Sequence, residues 1–191
     1  MKRLRQALKY FKSDAHLLAE LCHTNSTEAL AALELLKERL AFQDGRLCGR
    51  ALGRVNLPSA TLALAQLRAV QLGGAVLRDA YFYAADLRQA DLTQADLTAA
   101  NLRQAILSEA DLGGAVLAAA NLARANLRSA SLRAADLRRA NLWWADLRGA
   151  DLQNAALEQA NLAHALADVD TRLPDGQSWH SPQDWARFGA L

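Results

Sequence analysis

The chain has 191 residues, of which 52% are hydrophobic but only 6% aromatic, so aliphatic side chains, chiefly Leu and Ala, supply the apolar content. The length suits one domain with small appendages and excludes an isolated helix or a short peptide. Lys and Arg number 22 against 20 acidic residues, a net charge of +2, which excludes a strongly basic polyanion binder and a strongly acidic surface. Two cysteines make no disulfide framework, and no apolar run is long enough to span a membrane, so we expect a soluble, cytoplasmic protein.

Residues 1–44 show helical spacing and predict an α-helical hairpin. The first helix has apolar residues at Leu4, Ala7, Leu8, Phe11, Leu17, Leu18 and Leu21. A capping-box pattern of Asn25 and Glu28 precedes the second helix, whose apolar face comprises Ala29, Leu30, Leu33, Leu36 and Leu40. Gly45 ends it. We expect this hairpin to cover the open end of the following region.

The first predicted helix is also basic, with positive charges at Lys2, Arg3, Arg5, Lys9 and Lys12. A basic amphipathic helix can bind an anionic membrane surface or nucleic acid, and the first of these would make residues 1–12 a membrane attachment and the protein a membrane-surface structural protein. The same charges can instead form the solvated face of a cap, and we favour this second interpretation.

Residues 45–166 contain one repeat of five residues without insertion or deletion. Between Leu47 and Leu162, Leu fills 23 of the 24 positions of this period and Phe82 fills the other. Ala stands two residues earlier at 20 of the 21 sites between 60 and 160, with Val70 as the exception. A helix would advance each Leu by about 140° and produce no stripe, and a straight strand would send alternate leucines to opposite faces. A chain that turns a corner in every repeat directs all of them to one axis, so the pattern predicts a β-solenoid.

Three segments, ADLRQ at 85–89, ADLTQ at 90–94 and ANLRQ at 100–104, resemble the repeats of the pentapeptide repeat family. The resemblance covers residues 45–166. It implies a right-handed quadrilateral β-helix with four pentapeptides in each coil, so that 24 repeats make about six coils. It also implies that the Asp and Asn residues of the repeats serve turns.

Residues 167–191 predict a turn followed by a short helical cap. The turn is Leu173-Pro174-Asp175-Gly176, and the helix begins at Ser181-Pro182-Gln183-Asp184. Trp179, Trp185 and Phe188 are available to cover the last Leu and Ala layer. The LPDG segment and the following Trp resemble tails found after some bacterial pentapeptide arrays.

The sequence offers no constellation typical of an enzyme. Its histidines lie in different segments, without metal-ligand spacing, at His16, His23, His164 and His180. A corner in every repeat sends Asp86, Asp91 and Asp96 to different sides, and of these only Asp91 has an acidic neighbour directly above it, Asp111. We therefore predict no catalytic residue, no metal, no cofactor and no small-molecule substrate.

The four sides of the predicted coil differ in the residues that they display. Three sides mix arginines with acidic residues, whereas the side built on Leu62, Phe82, Leu102, Leu122, Leu142 and Leu162 has no acidic residue. We call this fourth side the aromatic side. Its candidate interaction residues are Tyr81, Tyr83, Arg103, Arg124, Trp143 and Trp144. Exposed aromatic residues and arginine are enriched in protein interfaces, so we predict binding of a protein partner or a second copy of the chain. The alternative, equally weighted, is that the terminal helices fold back over this side.

A second function follows from the resemblance. Some members of the family protect DNA gyrase or topoisomerase from quinolones by resembling DNA, which requires a strongly negative rod. Residues 47–166 carry twelve arginines against ten acidic residues and contain no loop that breaks the register, so we rank this function below the non-enzymatic interaction scaffold. We do not expect nucleic-acid binding at the aromatic side, because two arginines there give little attraction for phosphate.

Overall fold

The structure is a computed structural model that describes residues 31–35, 43–45 and 47–190. The predicted first helix, the capping-box pattern at Asn25 and the basic residues within 1–12 lie outside the described residues. Four of the five apolar positions of the predicted second helix lie outside them as well, namely Ala29, Leu30, Leu36 and Leu40.

Each pentapeptide contributes one β-bridge residue and one turn. The residue before each central Leu forms a parallel bridge, and the two residues after that Leu form the turn. The turn closes when the third residue after the Leu donates its N–H to the Leu carbonyl oxygen, as Ala95 does to Leu92 at 3.1 Å. The second turn residue has a positive φ, 56° at Gln94 and 57° at Ala99, as a type II turn requires.

Twenty residues complete one coil of the solenoid. From Ala51 to Leu166, each bridge residue pairs with the bridge residue twenty positions later, as Asp91 does with Asp111 and Asn101 with Asn121. Backbone N–H and C=O groups of adjacent coils form hydrogen bonds with one another. Leu92 N–H, for example, donates to Asp111 O at 2.7 Å. The bridges therefore lie in four columns, one for each side, and each coil contains four pentapeptides.

The repeated Leu and Ala residues fill the interior of the coils. Every residue at a Leu position from Leu47 to Leu162 is at most 5% exposed, including Phe82 at 0%. The alternating Ala residues are buried beside them, and Val70 takes an Ala position at 0% exposure. Burial of one Leu contributes about 1.5 to 3 kcal/mol, so this continuous core is the main stabilising term of the fold. The turn residues point outward and supply most of the exposed surface.

The five-residue register ends after Leu166. Arg172 pairs in parallel with Asp151, one residue out of the twenty-residue register, and then pairs antiparallel with Ser178. The predicted Leu173 to Gly176 turn lies between Arg172 and Ser178, with Gly176 N–H donating to Leu173 O at 2.8 Å.

A 3-10 helix, Pro182–Phe188, follows this turn where the sequence predicts a short helix. The carboxylate of Asp184 accepts hydrogen bonds from the N–H groups of His180 at 2.7 Å and Ser181 at 2.9 Å, which fixes the start of the helix. Trp185 is 6% exposed and belongs to the same buried cluster as the solenoid leucines.

Residues 31–35 are helical and also contribute to the core. Ala32, Leu33 and Leu35 are buried in the cluster that contains the repeat leucines. Within the described part of the chain, no helix has the length and apolar character needed to cross a membrane.

Candidate protein-interaction surface

The aromatic side is built on one of the four bridge columns. This column runs through Thr61, Tyr81, Asn101, Asn121, Asn141 and Asn161. Two further columns of turn residues lie beside it. The first turn column places Tyr83, Arg103, Ala123 and Trp143 one above another, and the second places Ala84, Gln104, Arg124 and Trp144 one above another. Because bridges hold adjacent coils about 4.8 Å apart, residues twenty positions apart are direct neighbours.

Tyr81 and Tyr83 form one aromatic cluster toward the N-terminal end of this side. Their rings are stacked with centroids 6.1 Å apart and planes 13° apart. Tyr81 is 40% exposed, although it occupies a bridge position. We call these two residues the tyrosine pair.

A second cluster lies toward the C-terminal end. Trp143 and Trp144 meet edge to face, with centroids 6.2 Å apart and planes 83° apart. The guanidinium of Arg124 lies 5.1 Å from the centre of the Trp143 ring, and the ring of His164 stacks on Trp144 at 5.0 Å. Trp144 remains 46% exposed, so it presents a large apolar surface that the described residues do not cover. We call these four residues the tryptophan cluster.

The four asparagines of the bridge column, at 101, 121, 141 and 161, form the Asn column, which holds the backbone beneath the tryptophan cluster. Asn141 Oδ1 accepts a hydrogen bond from the backbone N–H of Trp143 at 3.1 Å, which fixes the turn that carries the two tryptophans. Asn161 Nδ2 donates to Asn141 Oδ1 at 3.2 Å, so neighbouring coils are also joined through the side chains. The backbone that carries the tryptophans is therefore held both by a hydrogen bond within its turn and by a side-chain hydrogen bond to the next coil.

Six of the ten arginines of the other three sides form ion pairs with aspartates, whereas Arg54, Arg68 and Arg139 form none within residues 47–190. Arg88 hydrogen-bonds to Asp86 and Arg148 to Asp146, and these side-chain bonds hold the pKa of each carboxyl below its usual range. The remaining ion pairs on those three sides join Arg78 to Asp96, Arg128 to Asp146, Arg133 to Asp151 and Arg138 to Asp136. Among residues 47–190, no ion pair involves Arg103 or Arg124.

The six residues singled out from the sequence therefore share one side but form two clusters. Tyr81 and Tyr83 contact each other, and Arg124 joins Trp143 and Trp144. No ring contact or ion pair connects Arg103 to either cluster within the described residues. Arg103 lies one coil above Tyr83 in the first turn column, between the two groups.

Sequence reasoning missed two members of this side. His164 stacks on Trp144, and Leu64, 57% exposed, lies one coil below Ala84 in the second turn column. Both residues, like Trp144, are the second turn residue of a repeat on the aromatic side. Reading that position at intervals of twenty residues would have found them.

The aspartates of the repeats serve turns. Asp91 Oδ1 accepts hydrogen bonds from Thr93 N–H at 2.9 Å and from Thr93 Oγ1 at 2.7 Å, and Asp111 Oδ1 accepts one from Gly113 N–H at 2.9 Å. Across the described residues, no three His, Cys, Asp or Glu side chains are grouped as a metal site.

A shallow depression lies on a different side of the rod. It has a volume of about 460 Å³ and is lined by Thr98, Ala118, Ala119, Arg138, Arg139, Glu158 and Gln159. Its cause is the pair of small turn residues in the AVLAA repeat at 115–119. Arg139 is held by a hydrogen bond to Gln159 at 2.9 Å, and Arg138 is paired with Asp136. Glu158 also lines the depression and forms no ion pair within residues 47–190.

Comparison with known proteins identifies the repeats. A family model described as pentapeptide repeats matches residues 60–98, 95–133 and 125–163, with eight copies. A search of curated proteins gives no match.

Solved structures give similar chains. The chain is similar to Rfr23, a pentapeptide repeat protein from the cyanobacterium Cyanothece 51142, with 31% identity, 71% of this chain and 97% of that chain covered, and a TM-score of 0.28. It is similar to HetL, a pentapeptide repeat protein involved in heterocyst differentiation regulation in Nostoc sp. strain PCC 7120, with 26% identity, coverage of 82% and 100%, and a TM-score of 0.25. A third similar chain is full-length QnrB1, a plasmid-mediated fluoroquinolone resistance protein, with 16% identity, coverage of 78% and 87%, and a TM-score of 0.35.

Proposed function

The chain belongs to the pentapeptide repeat family, and from this premise we propose that it is a non-enzymatic interaction scaffold. Its rigid rod presents the aromatic side to a protein partner or to a second copy of the chain. The residues that we propose to make this contact are Tyr81, Tyr83, Arg103, Arg124, Trp143 and Trp144.

The exposure of Trp144 on an acid-free side is the observation that carries this proposal. A turn position that is 46% exposed needs no Trp for the fold, because Gln94, Ala119 and Gly114 occupy the same position in other repeats. Large aromatic residues supported by a stacked Arg are typical of the residues that dominate binding energy in protein interfaces. The tryptophan cluster therefore has the composition of an interface centre.

The finer architecture belongs to the same proposal. We propose about six right-handed coils over residues 45–166, closed by an N-terminal cap over residues 1–44 and a C-terminal cap over residues 167–191. Leu33 and Trp185, one from each flanking segment, lie in the buried cluster with the repeat leucines, which supports this division. The proposed location is the cytoplasm.

The experiment compares the double variant Trp143→Ala/Trp144→Ala with a matched control on the opposite side, Gln153→Ala/Asn154→Ala. The control residues occupy the same two turn positions two pentapeptides later. Affinity capture from an extract of the native cells and analytical ultracentrifugation of the purified chain measure the partner and the self-associated form. We expect the tryptophan variant to lose one of these complexes and the control variant to retain it, with circular dichroism unchanged in both.

A protein partner and a second copy of the chain give different results in these experiments. Loss of a captured protein, with the purified chain monomeric throughout, identifies a partner, whereas loss of a dimer of the purified chain identifies self-association. Association that survives unchanged in the tryptophan variant would refute the proposal.

A further inference from the structure

We infer that the aromatic side binds an acidic segment of a protein partner, with Arg103 and Arg124 pairing to its carboxylates and the two aromatic clusters holding its apolar side chains. This inference rests on the proposed function, because it names the chemistry of the partner for the same surface. Its three supports are the unpaired arginines, the Asn column and the spacing of the clusters.

The first support is the uneven neutralisation of arginines around the rod. Arg88, Arg138 and Arg148 each form an ion pair with an aspartate of their own repeat, two residues earlier. Arg103 has Asn101 at that place, and Asn101 accepts only the backbone N–H of Arg103, at 3.1 Å. The guanidinium of Arg103 therefore has no carboxylate partner among the described residues, and a partner's carboxylate can satisfy it.

The second support is that turn closure does not require the acid-free composition. Asp91 and Asp111 accept the turn N–H two residues later in the same way as Asn121 and Asn141 do. Aspartate would therefore close the turns of the aromatic side equally well. The bridge column of this side nevertheless has Asn in four successive coils, at 101, 121, 141 and 161. The amides of Asn141 and Asn161 also donate to the Asn one coil below, which Asp could not do, so this column ties the coils as well as closing the turns. Its lack of negative charge leaves the two arginines of this side unneutralised, and this is complementary to an acidic segment.

Arg124 is already oriented for such a contact. A guanidinium that stacks on an aromatic ring keeps its N–H groups in its own plane, where they can donate to a carboxylate. Arg124 stacks on Trp143 at 5.1 Å and forms no ion pair within residues 47–190. Because the stacked side chain has already lost rotational freedom, pairing to a carboxylate costs less entropy than it would for a mobile Arg.

The spacing of the clusters sets the length of the bound segment. Tyr83 and Trp143 occupy the same turn column three coils apart, which corresponds to about 14 Å at about 4.8 Å per coil. An extended segment covers this distance with about four residues, and a helix with about ten. Arg103 and Arg124 lie in the two coils between these rings, and Ala123, 6% exposed, forms a low floor there. The segment that fits has two apolar anchors and acidic residues between them.

A second copy of the chain does not fit this surface face to face. Two aromatic sides in contact would bring Arg103 and Arg124 against arginines, with no acidic residue from either copy to neutralise them. Single-stranded nucleic acid would gain stacking on the rings, but two cations release few counterions, so the attraction for phosphate is weak.

The test selects binding segments without assuming their sequence. A phage-displayed library of random 12-residue peptides is selected on the full chain and counter-selected on Trp143→Ala/Trp144→Ala. Selected peptides are then synthesised with a fluorophore, and their affinity is measured by anisotropy. We expect the peptides to carry net negative charge together with Leu, Phe, Tyr or Trp, and their binding to weaken as salt is raised.

The arginines are tested with matched variants. We expect Arg103→Gln/Arg124→Gln to weaken binding of the selected peptides about tenfold. The control, Arg133→Gln/Arg138→Gln, removes two arginines that are paired with Asp151 and Asp136 on other sides and should leave the affinity unchanged. The inference would be overturned if the selected peptides were neutral or basic, or if no selected peptide required the tryptophans. It would also be overturned if the control variant lost as much affinity, or if a single-stranded DNA oligonucleotide bound more tightly than the peptides.

This outcome is separable from that of the proposed function. If complex formation depends on Trp143 and Trp144 but is unaffected by Arg103→Gln/Arg124→Gln, the aromatic side is an interface but its partner is not an acidic segment. If complex formation depends on neither pair, the interface itself is wrong.

Discussion

The aromatic side and the side opposite to it have the same interior and different exteriors. The opposite side is built on Leu52, Leu72, Leu92, Leu112, Leu132 and Leu152, two pentapeptides further along each coil. Leu122 beneath the aromatic side and Leu112 beneath the opposite side are both 0% exposed. Outside, the turn columns of the opposite side contain glycine pairs at 73–74 and 113–114, whereas the turn columns of the aromatic side contain Tyr83, Trp143 and Trp144. The fold therefore depends on the interior positions, and any difference in function must come from the exterior.

The largest expected effect comes from the shared interior. Leu112→Ala and Leu122→Ala each remove buried methyl groups from the shared interior, one on each side, and should each lower the free energy of unfolding by about 2 to 5 kcal/mol. Urea unfolding followed by circular dichroism measures both values. Trp144→Ala should change the same quantity by only about 0.5 kcal/mol, since its side chain is half exposed. A Trp144→Ala loss as large as that of Leu122→Ala would show that the aromatic side is part of the core.

A smaller effect on stability should appear when the pH is lowered, and it comes from aspartates that the aromatic side lacks. Arg88, Arg138 and Arg148 hold the pKa values of Asp86, Asp136 and Asp146 below their usual range. The unfolded chain therefore binds protons before the folded one as the pH falls. The stabilisation is fully present above about pH 4 and is lost as the pH falls below that value. Urea midpoints measured from pH 7 to pH 2 should decrease in this window.

The control for this prediction is Asp146→Asn, which removes one of the lowered groups. Its midpoint should be lower at pH 7 but should change less with pH than that of the unaltered chain. An equal pH dependence in the two proteins would contradict the role assigned to the Asp146 and Arg148 pair.

The smallest effect concerns the turns of the aromatic side. Asn141→Ala removes the acceptor of both Trp143 N–H and Asn161 Nδ2 and should lower the free energy of unfolding by about 1 kcal/mol. Asn141→Asp keeps this acceptor and loses only the long 3.5 Å bond to Asn121, so it should be less destabilising than Asn141→Ala at pH 7. Thermal and urea unfolding measure both. If Asn141→Asp is as destabilising as Asn141→Ala, the fold requires Asn at this position, and the acid-free column no longer points to a ligand.

The sequence was sufficient to predict the repeat and its side assignment. A period of five with buried Leu and Ala permits few arrangements, and the bridge between Asp91 and Asp111 joins residues that a twenty-residue coil places together. The grouping of Tyr81 with Tyr83 and of Trp143 with Trp144 follows from the same numbering.

Contacts between side chains could not be predicted in this way. The stacking of His164 on Trp144 and of Arg124 on Trp143 depends on rotamers that the repeat does not determine. The break in register between Leu166 and Arg172 was also beyond the pattern, because a single extra residue in a polar segment leaves no periodic signal.

Photo-crosslinking in the native cells tests most directly whether the aromatic side is the interface. A photoreactive amino acid replaces either Trp144 or Asn154, which occupy the same turn position on opposite sides of the rod. If the aromatic side is the interface, position 144 gives a discrete adduct, with one protein partner or with a second copy of the chain, and position 154 gives none. Equal adducts from both positions, or an adduct from position 154 alone, would contradict it.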